Sequence, residues 1–192
     1  MTVLDVCMGS GQVARAAVEL VGTGGKVVGL DASSRMLIEA RKYVKIPMLL
    51  GVVEALPVAD EFADFVTMGY ALRHIADLRE TFREFLRVLK PGGTLLMIEF
   101  SRPRSRVVHA AARLYLGTLV PAIASMKGRR AADMMRYFWN TIESCVPPET
   151  ILRTLREAGL EDPRKEGPID LFAEYTAKRP TRAGERQEDR PL

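Results

Sequence analysis

A chain of 192 residues suits one hydrophobic core, and 47% hydrophobic against 27% charged residues is ordinary for a soluble globular protein. The net charge of +4 is mild, its charges are mixed along the chain, and no basic stripe alternates with aromatics, which argues against a nucleic-acid partner. A solvated surface explains that charge most simply; an anionic membrane surface or an acidic substrate is the alternative. Cys7 and Cys145 have no metal-ligand spacing, so no metal is expected and a reduced, cytoplasmic setting is the default. No uninterrupted apolar run reaches the ~18 residues that span a bilayer, and the N-terminus carries no charged-then-apolar signal pattern.

Strand and helix patterns then alternate. Residues 2–7 (TVLDVC) read as a strand, and 12–22 as a helix ending at Gly22. Residues 26–31 (KVVGLD) are a second strand, and 33–44 a helix with Ser33 or Ser34 as N-cap. Residues 47–53 and 63–70 follow as strands, the latter nearly all apolar, as in a strand buried on both faces. An amphipathic helix over 78–89 closes at KPGG, and 94–100 is a further strand. Residues 105–140 form a long Ala- and Met-rich helical stretch holding Trp139. A helix over 147–160 and an antiparallel strand over 170–179 complete the pattern, and the charged tail 180–192 is expected to be disordered. This order of six strands predicts an α/β fold: an open, mostly parallel sheet with helices on both faces. The last strand is antiparallel, a helical insertion lies near 105–140, and residues 1–179 form one domain.

The chemistry starts at VLDVCMGSGQVA, residues 3–14. Gly9-Ser10-Gly11-Gln12-Val13-Ala14 fits G-x-G-x-x-G/A, where glycines let the backbone approach a ligand. Asp31 ends the second strand 20 residues after Gly11, where an acid holds ribose hydroxyls. Both a nicotinamide dinucleotide and S-adenosyl-L-methionine carry that ribose, so the loop alone does not choose between them. Asp5 breaks the tie. An acid below the loop would repel a pyrophosphate but would suit the ammonium of S-adenosylmethionine. The turn Pro91-Gly92-Gly93 before the fifth strand, and the lack of a Tyr-x-x-x-Lys pair, point the same way.

Residues 3–103 resemble the class I S-adenosylmethionine-dependent methyltransferases, and within them the ubiquinone/menaquinone biosynthesis C-methyltransferases of the UbiE family. The segments that carry the likeness are VLDVCMGSGQVA, VVGLDASSRML, EALPVAD and ALRHIADLRETFREFLRVLKPGGTLLMIEFSRP, with YFWNTIESCVPPETILRTLREAGL more weakly. The resemblance implies a Rossmann-like, seven-stranded sheet, one strand more than the six read above. It implies that the Gly9–Gly11 loop passes under the methionine part of the cofactor and that Asp31 binds its ribose. It further implies that Met36 packs near the adenine, that Val53 and Glu54 line its edge, and that Gly69 and Tyr70 face the transfer site. Two departures stand out. The family has GDAE or GNAE where this chain has Gly51-Val52-Val53-Glu54, and Val52 cannot accept from the adenine amino group. The family's LRN is here Leu72-Arg73-His74. Family members also carry some tens of residues before the first strand, and this chain has almost none.

The expected reaction is C-methylation of a quinol-type ring in ubiquinone or menaquinone biosynthesis. Alternatives are N- or O-methylation of another small apolar molecule or lipid, or a cofactor-binding protein with little catalysis. Carbon methylation needs a proton removed. His74 is a candidate base, and Arg73 a candidate for ordering a water, steadying a phenolate, or simply pairing with a carboxylate such as Asp77. Glu99 is either a site-edge residue or a structural partner. Tyr137, Phe138 and Trp139 form either an apolar lid or core, and Met126, Met134 and Met135 suit a deformable pocket. The partner is then a hydrophobic acceptor with a lipid tail, met in the cytoplasm or at the membrane surface, with a homodimer left open.

Overall fold

A computed structural model describes residues 1–103, 105–167 and 171–182. Seven strands form one sheet: β1 (Thr2–Val6), β2 (Lys26–Asp31), β3 (Met48–Leu50), β4 (Ala63–Gly69), β5 (Leu89–Phe100), β6 (Glu161–Glu166) and β7 (Phe172–Lys178), in the order β3-β2-β1-β4-β5-β7-β6. The pairs from β3 to β5 are parallel, and β7 runs antiparallel to β5 and β6. The Rossmann-like order expected from the sequence is thus present, with the last strand antiparallel.

The strands form where branched and apolar residues run continuously, because helices cover both faces. α1 (Gln12–Val21) and α2 (Ser34–Ala40) pack on one side, around Val3, Met8, Val27 and Leu37. α3 (Leu78–Val88) and α7 (Pro148–Glu157) cover the other, where Phe82, Phe85, Leu155 and Tyr175 are fully or almost fully buried. Asp77 caps α3 by accepting from the N–H groups of Arg79 and Glu80. β5 begins five residues earlier than expected because Leu89 pairs with Ala63 before the chain bulges out at KPGG. Gly92 has φ 74°, and a Cβ at Gly93 would lie 2.8 Å from the Lys90 carbonyl, so this turn needs both glycines.

Several expectations change. The 47–53 strand is three residues long, and the 33–44 helix stops at Ala40. β6 was not anticipated: EDPRKE has no apolar alternation because it is an edge strand, where charges and a proline are tolerated. The 105–140 stretch is a hairpin. α4 (Arg106–Leu114), a π-turn (Tyr115–Leu119) and α5 (Val120–Ser125) make one continuous helix, and α6 (Arg129–Glu143) returns after Gly128. That continuous helix, Arg106–Ser125, is 20 residues long, by length and composition apolar enough to cross a membrane, and hardly any of it is fully buried. This corrects the expectation that no such run exists. Interruption by Arg113, Gly117 and Pro121 hides it from a search for unbroken apolar residues. In the tail, Arg182 is held by Glu61 at 2.6 Å, so order extends at least that far. Residues 183–192, and Asp170 of the expected last strand, lie outside the described residues.

The hairpin closes on one contact. Trp139 is buried, and a Cβ on Gly117 would lie 3.0 Å from its indole. Trp139→Ala should therefore cost about 3–5 kcal/mol, measured by urea unfolding followed by circular dichroism. A loss under about 1 kcal/mol would contradict this packing.

Candidate cofactor and acceptor site

Strand order reverses between β1 and β4, and in open parallel sheets the crevice beyond such strand ends takes the ligand. The chain leaves β1 there through a curled loop: Cys7 (φ 50°), Gly9 (φ 53°) and Gly11 (φ 84°) all adopt left-handed conformations. The two glycines differ in purpose. A Cβ at Gly9 would meet nothing within 4 Å, so the loop is open to a ligand there. A Cβ at Gly11 would press on Val44 at 3.0 Å and Met8 at 3.3 Å, so Gly11 serves the packing of α1 on α2. Gly11 is also the N-cap of α1 and has no side chain to cap it, leaving the first helical N–H groups for other partners.

Asp31 ties the loop to the second strand. One carboxylate oxygen accepts from the Gly9 N–H at 2.8 Å and the other from the Ser33 N–H at 2.8 Å. Each oxygen retains a lone pair for a hydroxyl. Ser33 caps α2 by accepting from the Met36 N–H, and Met36 projects from that first turn with its side chain half exposed.

Asp5 is fully buried beneath the loop. Oδ1 accepts from the Thr67 hydroxyl at 2.8 Å, while Oδ2 has no partner. Burial pushes its carboxyl up to about 7; the Thr67 hydrogen bond and the nearby Ala14 N–H at the start of α1 oppose this, and the Asp31 charge adds to it. Cys7 reports the same field. Burial, then the charges of Asp31, Glu54 and Asp5, push its thiol up to about 12, which keeps it protonated and unreactive. Asp31 and Asp5 thus flank one open loop, and the Glu54 charge is also felt at Cys7. An unpaired buried oxygen and this excess of negative charge fit a cationic ligand such as the ammonium and sulfonium of S-adenosylmethionine, and would repel a pyrophosphate.

The other expected residues are placed unequally. The Glu54 charge acts on the Cys7 thiol. The Val53 side chain is core and turns away from any ligand, while Val52 is half exposed in a small bridge with Ala55. Gly69 ends β4, but a Cβ there would lie 2.6 Å from Val13, so its missing side chain serves the packing of α1. Tyr70 (φ 58°) is partly exposed and stacks on Phe100 at 5.0 Å. Arg73 is an inward residue. It pairs with the buried Glu99, and its guanidinium lies 5.9 Å from the Phe100 ring centre and 5.8 Å from that of Phe138. Asp77, the partner considered from sequence, caps α3 instead. His74 is exposed and lies parallel to the Tyr137 ring at 6.3 Å. Partial desolvation, then the Arg73 charge, lowers its pKa, and the Glu99 charge opposes this. Of the three aromatics of the expected lid, Tyr137 lies parallel to His74, Phe138 meets Phe100 edge-on, and Trp139 belongs to the hairpin core. Thr67 was missed, although a hydroxyl in the otherwise apolar β4 signals a buried polar partner.

The buried acid fixes a pH dependence. Its folded pKa of about 7 lies above the unfolded value near 3.9, so its contribution is full below pH ~4 and is lost as pH rises through 7. Removing that slope is worth on the order of 4 kcal/mol. Asp5→Asn should flatten the fall in stability between pH 4 and pH 7, read from denaturation midpoints across that range. An unchanged slope would mean that Asp5 is ionised when buried.

A sequence profile described as the ubiE/COQ5 methyltransferase family matches residues 1–167. The 2-phytyl-1,4-naphtoquinone methyltransferase of Thermosynechococcus vestitus is 34% identical over 164 residues, covering 83% of this chain and 72% of that protein. The ubiquinone/menaquinone biosynthesis C-methyltransferase UbiE of Hahella chejuensis is 32% identical over 83% of this chain and 66% of its own length. The demethylmenaquinone methyltransferase of Chlorobaculum parvum is 36% identical over 83% of this chain and 65% of its own length. The chain thus spans about two thirds of the length of these last two relatives. A SAM dependent methyltransferase from Aquifex aeolicus shares the fold, with a TM-score of 0.70 over 93% of this chain and 82% of that one, at 20% identity. Profile, relatives and the acid-rimmed loop agree: the chain belongs to the ubiE/COQ5 methyltransferase family, whose cofactor is S-adenosylmethionine.

Proposed function

We propose that this chain transfers a methyl group from S-adenosylmethionine to a ring carbon of a lipid-tailed quinol in ubiquinone or menaquinone biosynthesis, on the cytoplasmic side of the membrane. The observation that carries the reading is the glycine loop at the β1/β4 crevice, which Asp31 holds open above the buried Asp5. At the ends of β4 and β5, Tyr70 and Phe100 form an aromatic cluster with Phe138 of α6. Three relatives named for quinone substrates support the acceptor class.

Asp31 would hold the ribose hydroxyls, Met36 would lie on the adenine, and Asp5 Oδ2 would face the ammonium. Bound, the cofactor supplies an electrophilic methyl group. The protein's own part is alignment, charge and proton removal. The aromatic cluster would take a flat apolar ring and keep water from it. His74, exposed and held toward its neutral form, would accept the hydroxyl proton as the ring carbon becomes nucleophilic; once the methyl is transferred, the ring carbon loses its own hydrogen and the oxygen takes a proton back, so one proton leaves in all. Glu99 neutralises Arg73 and holds it beside the cluster, which makes Arg73 a positioning residue for Phe100 and Phe138.

The test is S-adenosylhomocysteine release with short-tailed benzoquinols and naphthoquinols. His74→Gln should lower kcat about 10²–10⁴-fold with cofactor affinity unchanged. The wild-type rate should already be flat at pH 7, since the lowered His74 pKa moves its limb to more acidic pH. Firm cofactor binding with no turnover on either quinol class would overturn the quinol reading.

A further inference from the structure

The helical hairpin exposes what a folded protein ordinarily hides. Along Arg106–Ser125 and its turn, Tyr115, Leu119, Ile123 and Met126 follow one another at helical spacing and are 47–87% exposed. On the returning helix Met134 and Tyr137 are about 60% exposed. Between the two helices lies a groove of about 410 Å³ lined by Tyr115, Ile123, Met134, Met135 and Lys127 among others. The same element also carries the charge. Residues 106–143 hold six Lys or Arg and two Asp or Glu, while the rest of the chain holds 22 of each, so the whole net charge of +4 belongs to the hairpin. Arg136 is matched by Asp133 at 3.0 Å, but among the described residues Arg113, Lys127, Arg129 and Arg130 form no ion pair.

From this we infer that the hairpin is a docking surface for an anionic lipid bilayer: its apolar stripe sinks into the headgroup boundary and its free cations lie on lipid phosphates. An exposed apolar face beside unpaired cations is the pattern of an interfacial helix. A second copy of the chain is a poorer occupant, because two-fold pairing would set the same cations against each other. A transmembrane span is poorer still, because the helix carries Arg113 at mid-length and packs through Gly117 on Trp139. The hairpin is also joined to the site. Tyr137 lies on His74, and Phe138 meets Phe100 edge-on at 5.0 Å. Docking would therefore hold the aromatic cluster near the membrane, a consequence that rests on the proposed quinol acceptor; the docking itself does not.

Flotation of the full chain with vesicles tests this without any acceptor. The protein should float with vesicles of equal phosphatidylglycerol and phosphatidylcholine, should not float with phosphatidylcholine alone, and should be released by salt. Replacing Lys127, Arg129 and Arg130 together with Gln should weaken the partition about a hundredfold, at roughly fivefold per cation. Ile123→Glu with Met126→Glu should abolish flotation, while circular dichroism and S-adenosylmethionine binding stay as in the wild type. Equal flotation with both lipids, resistance to alkaline carbonate extraction, or a dimer that dissociates on Met126→Glu without any flotation would each overturn the inference.

Discussion

The site depends on one carboxylate. Asp31 reaches back from the end of β2 to the Gly9 N–H and forward to the Ser33 N–H, so it fixes the curled loop and the start of α2 together. A charged acceptor makes both hydrogen bonds stronger than neutral ones. The loop's left-handed residues are costly in isolation, Cys7 most of all because it carries a side chain. Parallel pairing of β1 with β2 brings the two strand ends level, and Asp31 then holds the loop in the shape that leaves Gly9 open.

Around that clamp the protein concentrates negative charge where burial makes it expensive. Asp5 has a hydrogen bond on one oxygen and none on the other. Asp31 and Glu54 add to the field at Cys7. A cation binding there relieves a cost already present in the fold, which gives preference for a positively charged cofactor. At the ends of β4 and β5 the charges pair instead: Arg73 and Glu99 form a buried ion pair beside Phe100 and Phe138.

Much of this is legible in the residues. Continuous apolar runs mark β1, β2 and β4, Gly22 marks the end of α1, and Asp31 stands where a ribose acid belongs. What the sequence hides is the part fixed by distant contacts. Glu99 lies 26 residues from Arg73, so the buried pair has no local signature, and nearby Asp77 looked as plausible. β6 is invisible because an edge strand needs no apolar face. Val53 looked like a ligand residue by its place beside Glu54, yet its side chain fills the core. The mixed charges of the whole chain concealed that their excess sits in one hairpin.

Calorimetric titration with S-adenosylmethionine, S-adenosylhomocysteine and NAD, on the wild type and on Asp31→Ala, tests the central claim most directly. Micromolar binding of both S-adenosyl compounds, no binding of NAD, and loss of binding in Asp31→Ala is the expected result. NAD binding, or undiminished S-adenosylmethionine binding in Asp31→Ala, would contradict the assignment of the acid-rimmed loop as the cofactor site.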